Sequence, residues 1–199
     1  MGLREIKMAR TRRLISDKAF ELFTDNGYDR TTIEQIAAAA EVGPRTLYRY
    51  FPTKETLVVE FVQTSLFQAL EDMRAQPEDA TLPVALHAVI ERVLQIMSTD
   101  PARVLAVYEL ARPNASVRAQ LGDVLWQWRR EMTEEVVKRI EGPSGRIIAS
   151  LTAASAVNLI EVVVQGWVDS GGEADMHALA AEASCLLRTG CVPVPASFA

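Results

Sequence analysis

Apolar residues recur at helical spacing along almost the whole chain. In residues 10–26 they fall on one face of a helix that Gly27 is placed to end, namely at Ile15, Ala19, Leu22 and Phe23. The alternation typical of strands is absent, whereas N-cap residues, N1 prolines and terminal glycines separate the apolar segments. The pattern predicts an all-α protein of about nine helices.

Polar residues and prolines between these segments place the individual helices. Thr32, with Gln35 three residues on, predicts a capping box at the start of a second helix. Pro44 suits the first position of a short third helix, and Thr53 is placed to cap a fourth over residues 54–74. Five more helices are expected at about residues 86–97, 101–112, 114–141, 146–170 and 173–189.

The second and third helices, joined by a tight break at residues 41–43, form a helix-turn-helix candidate. In this motif the first helix braces the second, which presents its N-terminal side chains to base edges in the major groove. Leu47 and Phe51 lie one turn apart, so we expect both to face inward. Tyr48 and Tyr50 lie about 200° apart on a helix and cannot share one buried face.

The segment from Thr32 to Leu57 resembles the signature of the tetracycline-repressor (TetR) family, and so do Phe23 and Gly27 before it. The resemblance runs from the threonine through Ile-Ala to Tyr-x-Tyr-Phe-x-x-Lys-x-x-Leu and covers about the first 60 residues. It implies an N-terminal three-helix helix-turn-helix DNA-binding domain, residues 1–53. A helical effector-binding and dimerisation domain, residues 54–199, would follow.

The same resemblance implies a function. The chain would be a ligand-responsive transcriptional regulator, most simply a repressor that binds a palindromic operator in double-stranded DNA as a homodimer. A small-molecule effector of unknown identity would release it. An activator of the same family, or a helical protein–protein adaptor without specific DNA binding, remains an alternative.

Individual roles carry over from the resemblance as well. Thr32 and Lys54 would hold phosphates, as would the two tyrosines, while Pro44 and Arg45 would reach bases. The implied DNA-binding residues are Thr32, Gly43, Pro44, Arg45, Thr46, Tyr48, Arg49, Tyr50 and Lys54. Two positions depart from the family pattern. Glu41 replaces the usual glycine of the turn, so it either avoids a positive φ or is strained there; Gly43 replaces a serine that could cap the third helix.

The charge distribution agrees with DNA binding by the N-terminal part of the chain, residues 1–54. Residues 1–54 carry ten Lys and Arg against seven Asp and Glu, and residues 55–199 carry 11 against 19, so the net charges are +3 and −8. Only the N-terminal part has the positive charge that suits binding to a polyanion such as DNA. The basic residues before the first apolar face either follow the DNA backbone or only keep the terminus soluble; they are Arg4, Lys7, Arg10, Arg12 and Arg13.

The rest of the chain offers effector and dimer candidates. Side chains that could line an effector pocket, or simply form a core, are Phe61, Met97, Tyr108 and Trp128. Asn158, Glu161 and Gln165 make a polar line on the apolar eighth helix. They would pair across a dimer, order a ligand or face water. The predicted dimer-forming residues of helices eight and nine are Ile148, Leu151, Leu159, Val162, Leu179, Ala183 and Leu187.

The sequence does not favour other functions. It has no nucleophile elbow, metal cluster or Gly-rich phosphate loop, so we expect no enzyme, no metal and no cofactor. We interpret Cys185 and Cys191 as small apolar fillers, and His87 and His177 as ordinary core or surface residues. The apolar stretch 147–168 contains Glu161 and several polar residues, which favours a buried helix over a membrane span and a cytoplasmic protein.

Overall fold

A computed structural model of the chain describes residues 2–77 and 80–193. Nine helices and no strand are found in those residues. The helices are α1 (Leu3–Asn26), α2 (Ile33–Ala39), α3 (Pro44–Tyr50), α4 (Lys54–Arg74), α5 (Leu82–Met97), α6 (Pro101–Ala111), α7 (Ala115–Val137), α8 (Gly145–Asp169) and α9 (Met176–Arg188). The prediction of an all-α fold of about nine helices is confirmed.

The clearest differences from the predicted boundaries are at α1, α5 and α7; α5 begins at Leu82, about four residues before the expected start. Helix α1 begins at Leu3, well before the first apolar face, and the Glu5 carboxylate accepts a 2.8 Å hydrogen bond from the Gly2 backbone N–H. This first part of α1 is exposed, so it leaves no apolar periodicity in the sequence. Helix α7 ends at Val137 rather than near residue 141.

The chain forms two compact units. The first, which we call the head, comprises residues 1–64 and 102–124; the second, the body, comprises residues 65–101 and 125–199. Helices α4 and α7 each contribute to both units. This grouping by compactness places α6 and the start of α4 in the head. A functional division between residues 53 and 54 stays a prediction.

A cluster of buried apolar side chains holds the head together. It draws on α1 to α4 and consists of Ile15, Ala19, Ile36, Ala37, Ala40, Leu47, Phe51 and Leu57. At about 25 cal/mol per Å² of apolar surface removed from water, such burial is the main stabilising term of the head.

The body has its own core, with α8 packed against α9 and both against α5. Trp128 is fully buried there, and its indole N–H donates a 2.8 Å hydrogen bond to the Leu66 carbonyl oxygen. Among the described residues, α8 is long and apolar enough to cross a membrane, and 44% of its apolar window is buried within the chain. Core helices of soluble proteins satisfy the same length and composition test.

Candidate DNA-reading head

The predicted capping box begins α2. The Thr32 hydroxyl oxygen accepts a hydrogen bond from the Gln35 N–H at 3.2 Å, and the Gln35 side-chain oxygen accepts one from the Thr32 N–H at 2.8 Å. Two backbone donors at the helix start are thereby satisfied. Thr32 itself is exposed, so it stays accessible to a phosphate.

The turn between α2 and α3 reverses the chain through Glu41. Its φ is +53°, the left-handed region that favours glycine. The conformation lets the Glu41 N–H donate to the Ala38 carbonyl oxygen at 3.1 Å and the Val42 N–H donate to the Ala37 carbonyl oxygen at 2.9 Å. Of the two alternatives stated for this position, Glu41 therefore takes the strained one.

Helix α3 is divided between a buried and an exposed side. Leu47 and Phe51 are both fully buried in the apolar cluster of the head, as predicted. Pro44 and Arg45, in the first turn, are exposed. No side chain caps this turn, because Gly43 stands at the N-cap position. Pro44 has no N–H, and the Thr46 N–H donates to the Gly43 carbonyl oxygen at 2.8 Å.

The other α3 candidates differ in how freely they reach solvent. Tyr48 is 48% exposed and Arg49 is exposed, whereas Thr46 is half-buried. Tyr50 is also half-buried: it packs against the head's apolar cluster, and the Arg49 guanidinium lies 5.4 Å from its ring centroid. Tyr48 therefore projects further towards solvent than Tyr50 does.

Lys54, at the start of α4, rests on an aromatic corner. Its ammonium nitrogen lies 4.1 Å from the centroid of Tyr28 and 5.9 Å from that of Phe23. The Tyr28 hydroxyl donates to a Glu55 carboxylate oxygen at 3.2 Å. Burial, followed by the charge of Glu55, raises the pKa of Tyr28, so its phenol stays neutral. The corner fixes Lys54 beside the end of α3.

Two residues hold the motif in place: Arg12, which the sequence grouped with the other basic N-terminal residues, and Thr31, which it did not single out. Arg12 on α1 donates from Nε and from a terminal nitrogen to the two carboxylate oxygens of Glu60, at 2.5 Å each. It also donates to the Tyr50 carbonyl oxygen at 3.2 Å and lies 4.7 Å from the centroid of Phe51. The buried Thr31 hydroxyl closes the α1–α2 loop by bonding to carbonyl oxygens at 2.9 and 3.0 Å.

Arg12 therefore has a structural role among the basic residues near the N-terminus. It ties α1 to the end of α3 and to α4. Arg4, Lys7 and Arg10 lie on the exposed part of α1. The run of basic residues in the sequence does not distinguish Arg12 from its neighbours. Its partner Glu60 lies 48 residues further along the chain, in a mostly apolar segment.

Comparison with known proteins agrees with this geometry. Residues 15–61 match the sequence model of the family described as "Bacterial regulatory proteins, tetR family". The HTH-type transcriptional regulator TcmR of Streptomyces glaucescens is 31% identical over 164 residues, covering 79% of this chain and 66% of TcmR. The chain belongs to the TetR family. The prediction of a DNA-binding transcriptional regulator is confirmed.

Two further relatives match most of the length of this chain. The fatty acid metabolism regulator protein of Bacillus subtilis is 26% identical over 182 residues, covering 88% of this chain and 93% of that protein. A solved structure of the transcriptional regulator FadR from Bacillus subtilis in complex with stearoyl-CoA has a TM-score of 0.59 at 24% identity. The match covers 89% of this chain and 98% of FadR. This structural match concerns the fold.

The residues predicted for the effector pocket are divided between the two units. Phe61 and Tyr108 lie in the head, and the other five lie in the body. Met97 and Trp128 are buried core residues, which agrees with the core interpretation given for them as an alternative. Among the described residues, one cavity in the head and two in the body are lined by none of the seven.

The polar line on α8 meets solvent in the single chain. Asn158 and Gln165 are exposed, and the Gln165 amide donates to an Asp169 carboxylate oxygen at 2.8 Å. Glu161 is half-buried; burial raises the pKa of its carboxyl, while nearby Arg129 acts in the opposite direction.

The predicted dimer residues divide into exposed and buried ones. Leu159 is buried within the chain, so that part of the prediction is wrong: the residue faces the body's own core. Leu151 and Val162 are 64% and 62% exposed, and Ile148 and Leu187 are 46% exposed each. An apolar groove of about 780 Å³ between α5, α8 and α9 is lined by Ile148, Leu151 and Leu187, and Leu159 also borders it.

The two cysteines and the two histidines all lie at the surface of the chain. Cys185 and Cys191 are both free and exposed, so the expectation that they fill core positions is wrong. His87 and His177 are exposed, and His177 lies 3.2 Å from a Glu91 carboxylate oxygen. The described residues contain no group of three or more potential metal ligands.

Proposed function

We propose that the protein is a repressor that binds a palindromic operator as a homodimer and leaves it when an effector binds. The observation that carries this proposal is α3, whose first turn presents exposed Pro44 and Arg45 on a helix locked by buried Leu47 and Phe51. A helix of this kind places side chains against base edges in the major groove. Thr32, Tyr48 and Lys54 are proposed to contact phosphates on either side.

The dimer is proposed to form through α8 and α9. Side chains exposed on these two helices would otherwise leave a wide apolar surface in water. They are Ile147, Ile148, Leu151, Val162, Leu186 and Leu187. Two copies would join them in a four-helix bundle, with Asn158 and Gln165 paired near its centre.

Sedimentation of two charge-inserting variants tests the dimer. Leu151→Glu is expected to give monomers at concentrations where the unaltered protein is dimeric, because a carboxylate would be buried in the interface. Val84→Glu is the matched control, since Val84 on α5 is 61% exposed and lies outside the proposed interface. A dimeric Leu151→Glu protein would contradict the proposed interface.

A fatty acyl thioester is the effector class that we propose. Support comes from the relative named for fatty acid metabolism. A structure of similar fold was solved with stearoyl-CoA. If the proposal is right, lauroyl-CoA or stearoyl-CoA lowers the affinity for the operator, whereas free coenzyme A does not. A coupling free energy of about 1–3 kcal/mol, or roughly 5- to 150-fold in affinity, is sufficient for regulation.

DNA selection followed by mutant titration tests the reading head. Genomic fragments bound by the purified protein would first supply an operator, and affinity for it would be compared with affinity for its scrambled copy at two salt concentrations. Arg45→Ala should lose about 1–3 kcal/mol on the operator and little on the scramble. Lys54→Ala should weaken both equally, and Lys18→Ala, a charge-matched control on α1, should do neither.

Three outcomes of this experiment can be distinguished. Selective binding with an Arg45-dependent loss at one base position supports the reading helix. Equal losses on operator and scramble for both variants would contradict the assignment of Arg45 to a base. Equal, salt-sensitive binding of the unaltered protein to both DNAs would favour the adaptor alternative.

A further inference from the structure

A polar cleft of about 400 Å³ lies between α7 and α8 in the body. Trp126, Arg129 and Arg130 line it from α7, where the spacing of three and four residues places them on one side of the helix. Arg146 and Ser150, one turn apart on α8, line the opposite wall. The volume falls in the range of about 300–1,000 Å³ that is usual for small-molecule sites.

The cleft is positive although the surrounding sequence is acidic. Residues 55–199 carry 19 acidic against 11 basic residues, yet three of those arginines meet here. Glu134 is the one carboxylate among the lining residues, and it lies 2.8 Å from Arg146. Glu161, beside Arg129, is half-buried and does not line the cleft. The lining therefore has an excess of two positive charges.

Trp126 gives the cleft an aromatic wall. Its side chain is 51% exposed, in contrast to the fully buried Trp128 two residues on. The Arg130 guanidinium lies 5.2 Å from the centroid of the indole. A guanidinium held against an aromatic ring is oriented for planar, bidentate hydrogen bonding to a phosphate. The indole also offers a surface on which a flat ring can stack.

From this combination we infer that the cleft binds an anionic ligand carrying both a phosphate group and a flat aromatic ring, as a nucleotide does. Arg130 and Arg146 bind the phosphate from opposite walls, and Trp126 stacks against the ring. Arg129 adds charge, and the exposed Ser150 hydroxyl can donate a further hydrogen bond. The site is distinct from the reading helix, and the inference stands without the proposed acyl effector.

Calorimetric titration of the full-length protein, without DNA, tests the inference. The probe is ADP, and its two parts, adenosine and inorganic pyrophosphate, are titrated separately. We expect one ADP per chain and at least about tenfold weaker binding of either part, since each lacks one of the two contacts. ADP should also quench the fluorescence of Trp126, a signal that Trp126→Phe removes.

Variants identify the residues that bind. Arg130→Gln and Arg146→Gln should each weaken ADP binding about tenfold, because each removes a charge-assisted hydrogen bond to phosphate. Trp126→Ala should lower the affinity for ADP to that for pyrophosphate. Arg92→Gln is the matched control: it removes the same charge from an exposed site in the body and should leave ADP binding unchanged.

Three results would overturn the inference. These are the absence of ADP binding, an equal effect of Arg130→Gln and Arg92→Gln, and pyrophosphate binding as tight as that of ADP. The third result would reveal a simple anion site without recognition of a ring. A preparation that binds its operator but not ADP would refute this inference alone, so its failure differs from failure of the proposed function.

Discussion

Replacing Arg12 with methionine should destabilise the protein more than any other single change among its basic N-terminal residues. Methionine keeps most of the length of the side chain but removes the guanidinium. The change leaves the Glu60 carboxylate, which is only 8% exposed, without its bidentate partner at 2.5 Å. The Tyr50 carbonyl oxygen and the face of Phe51 lose a contact as well.

The size of the effect follows from the exposure of the two partners. Breaking a fully buried ion pair costs about 3–5 kcal/mol, and an exposed pair contributes about 0–1 kcal/mol. Since the Arg12 side chain is 39% exposed, an intermediate cost of about 2 kcal/mol is expected for the pair. The hydrogen bond to Tyr50 and the cation–π contact add about 1 kcal/mol, so the total is about 3 kcal/mol.

Urea unfolding followed by circular dichroism measures this loss. Arg13→Met is the matched control, because the Arg13 side chain is 86% exposed and 3.8 Å from Asp17, and it should change the free energy of unfolding by less than about 0.5 kcal/mol. In the double variant with Glu60→Met, no unpaired carboxylate remains, so stability should recover in part.

A test on DNA separates the structural role from a DNA contact. If Arg12 only positions α3, then Arg12→Met lowers stability but leaves the salt dependence of DNA binding unchanged. If Arg12 contacts a phosphate, Arg12→Met would instead reduce the slope of log binding constant against log salt concentration by about one, because about one fewer counterion is released. The reasoning is refuted if Arg12→Met and Arg13→Met are equally stable. It is also refuted if the loss of stability in the double variant equals the sum of the losses in Arg12→Met and Glu60→Met.

Three further predictions concern single positions. Glu41→Gly should raise the free energy of unfolding by about 0.5–1 kcal/mol, because glycine adopts the positive φ without strain; a lower urea midpoint would contradict this. Trp128→Phe should cost about 1–3 kcal/mol in thermal unfolding, since the buried Leu66 carbonyl loses its donor, and unchanged stability would argue against a core role. Burial raises the pKa of Glu161, so the folded state binds this proton more tightly than the unfolded state does. The free energy of unfolding therefore falls as pH rises from the ordinary carboxyl value to the raised one. Glu161→Gln should remove that pH dependence in urea unfolding, and an unaltered slope would contradict it.

The reading head could be predicted from the sequence because its determinants are local. The Thr32–Gln35 capping box, the N1 position of Pro44 and the buried pair Leu47 and Phe51 all depend on spacings of a few residues. Such spacings determine which face of a short helix is buried. The family signature lies in the same segment.

The body could not be predicted to the same depth because its contacts join distant residues. Trp128 was expected to point to a core or a cavity, and only the hydrogen bond to Leu66 assigns it to the core. Leu159 and Leu151 lie on the same apolar helix, and periodicity did not show that Leu159 is buried whereas Leu151 is 64% exposed. The cleft beside Trp126 depends on α7 and α8 together, so no local pattern indicates it.

In the seven-residue helix α3, the residue that packs in the core is different from the residues that are exposed. Leu47 belongs to the apolar cluster, whereas Pro44, Arg45, Tyr48 and Arg49 do not and are exposed. If α3 is the proposed reading helix, substitutions at Pro44 and Arg45 change which DNA sequence is preferred at little cost in folding free energy. Duplicated copies of such a gene could acquire new operators by surface mutation alone, while the same interior keeps every variant folded.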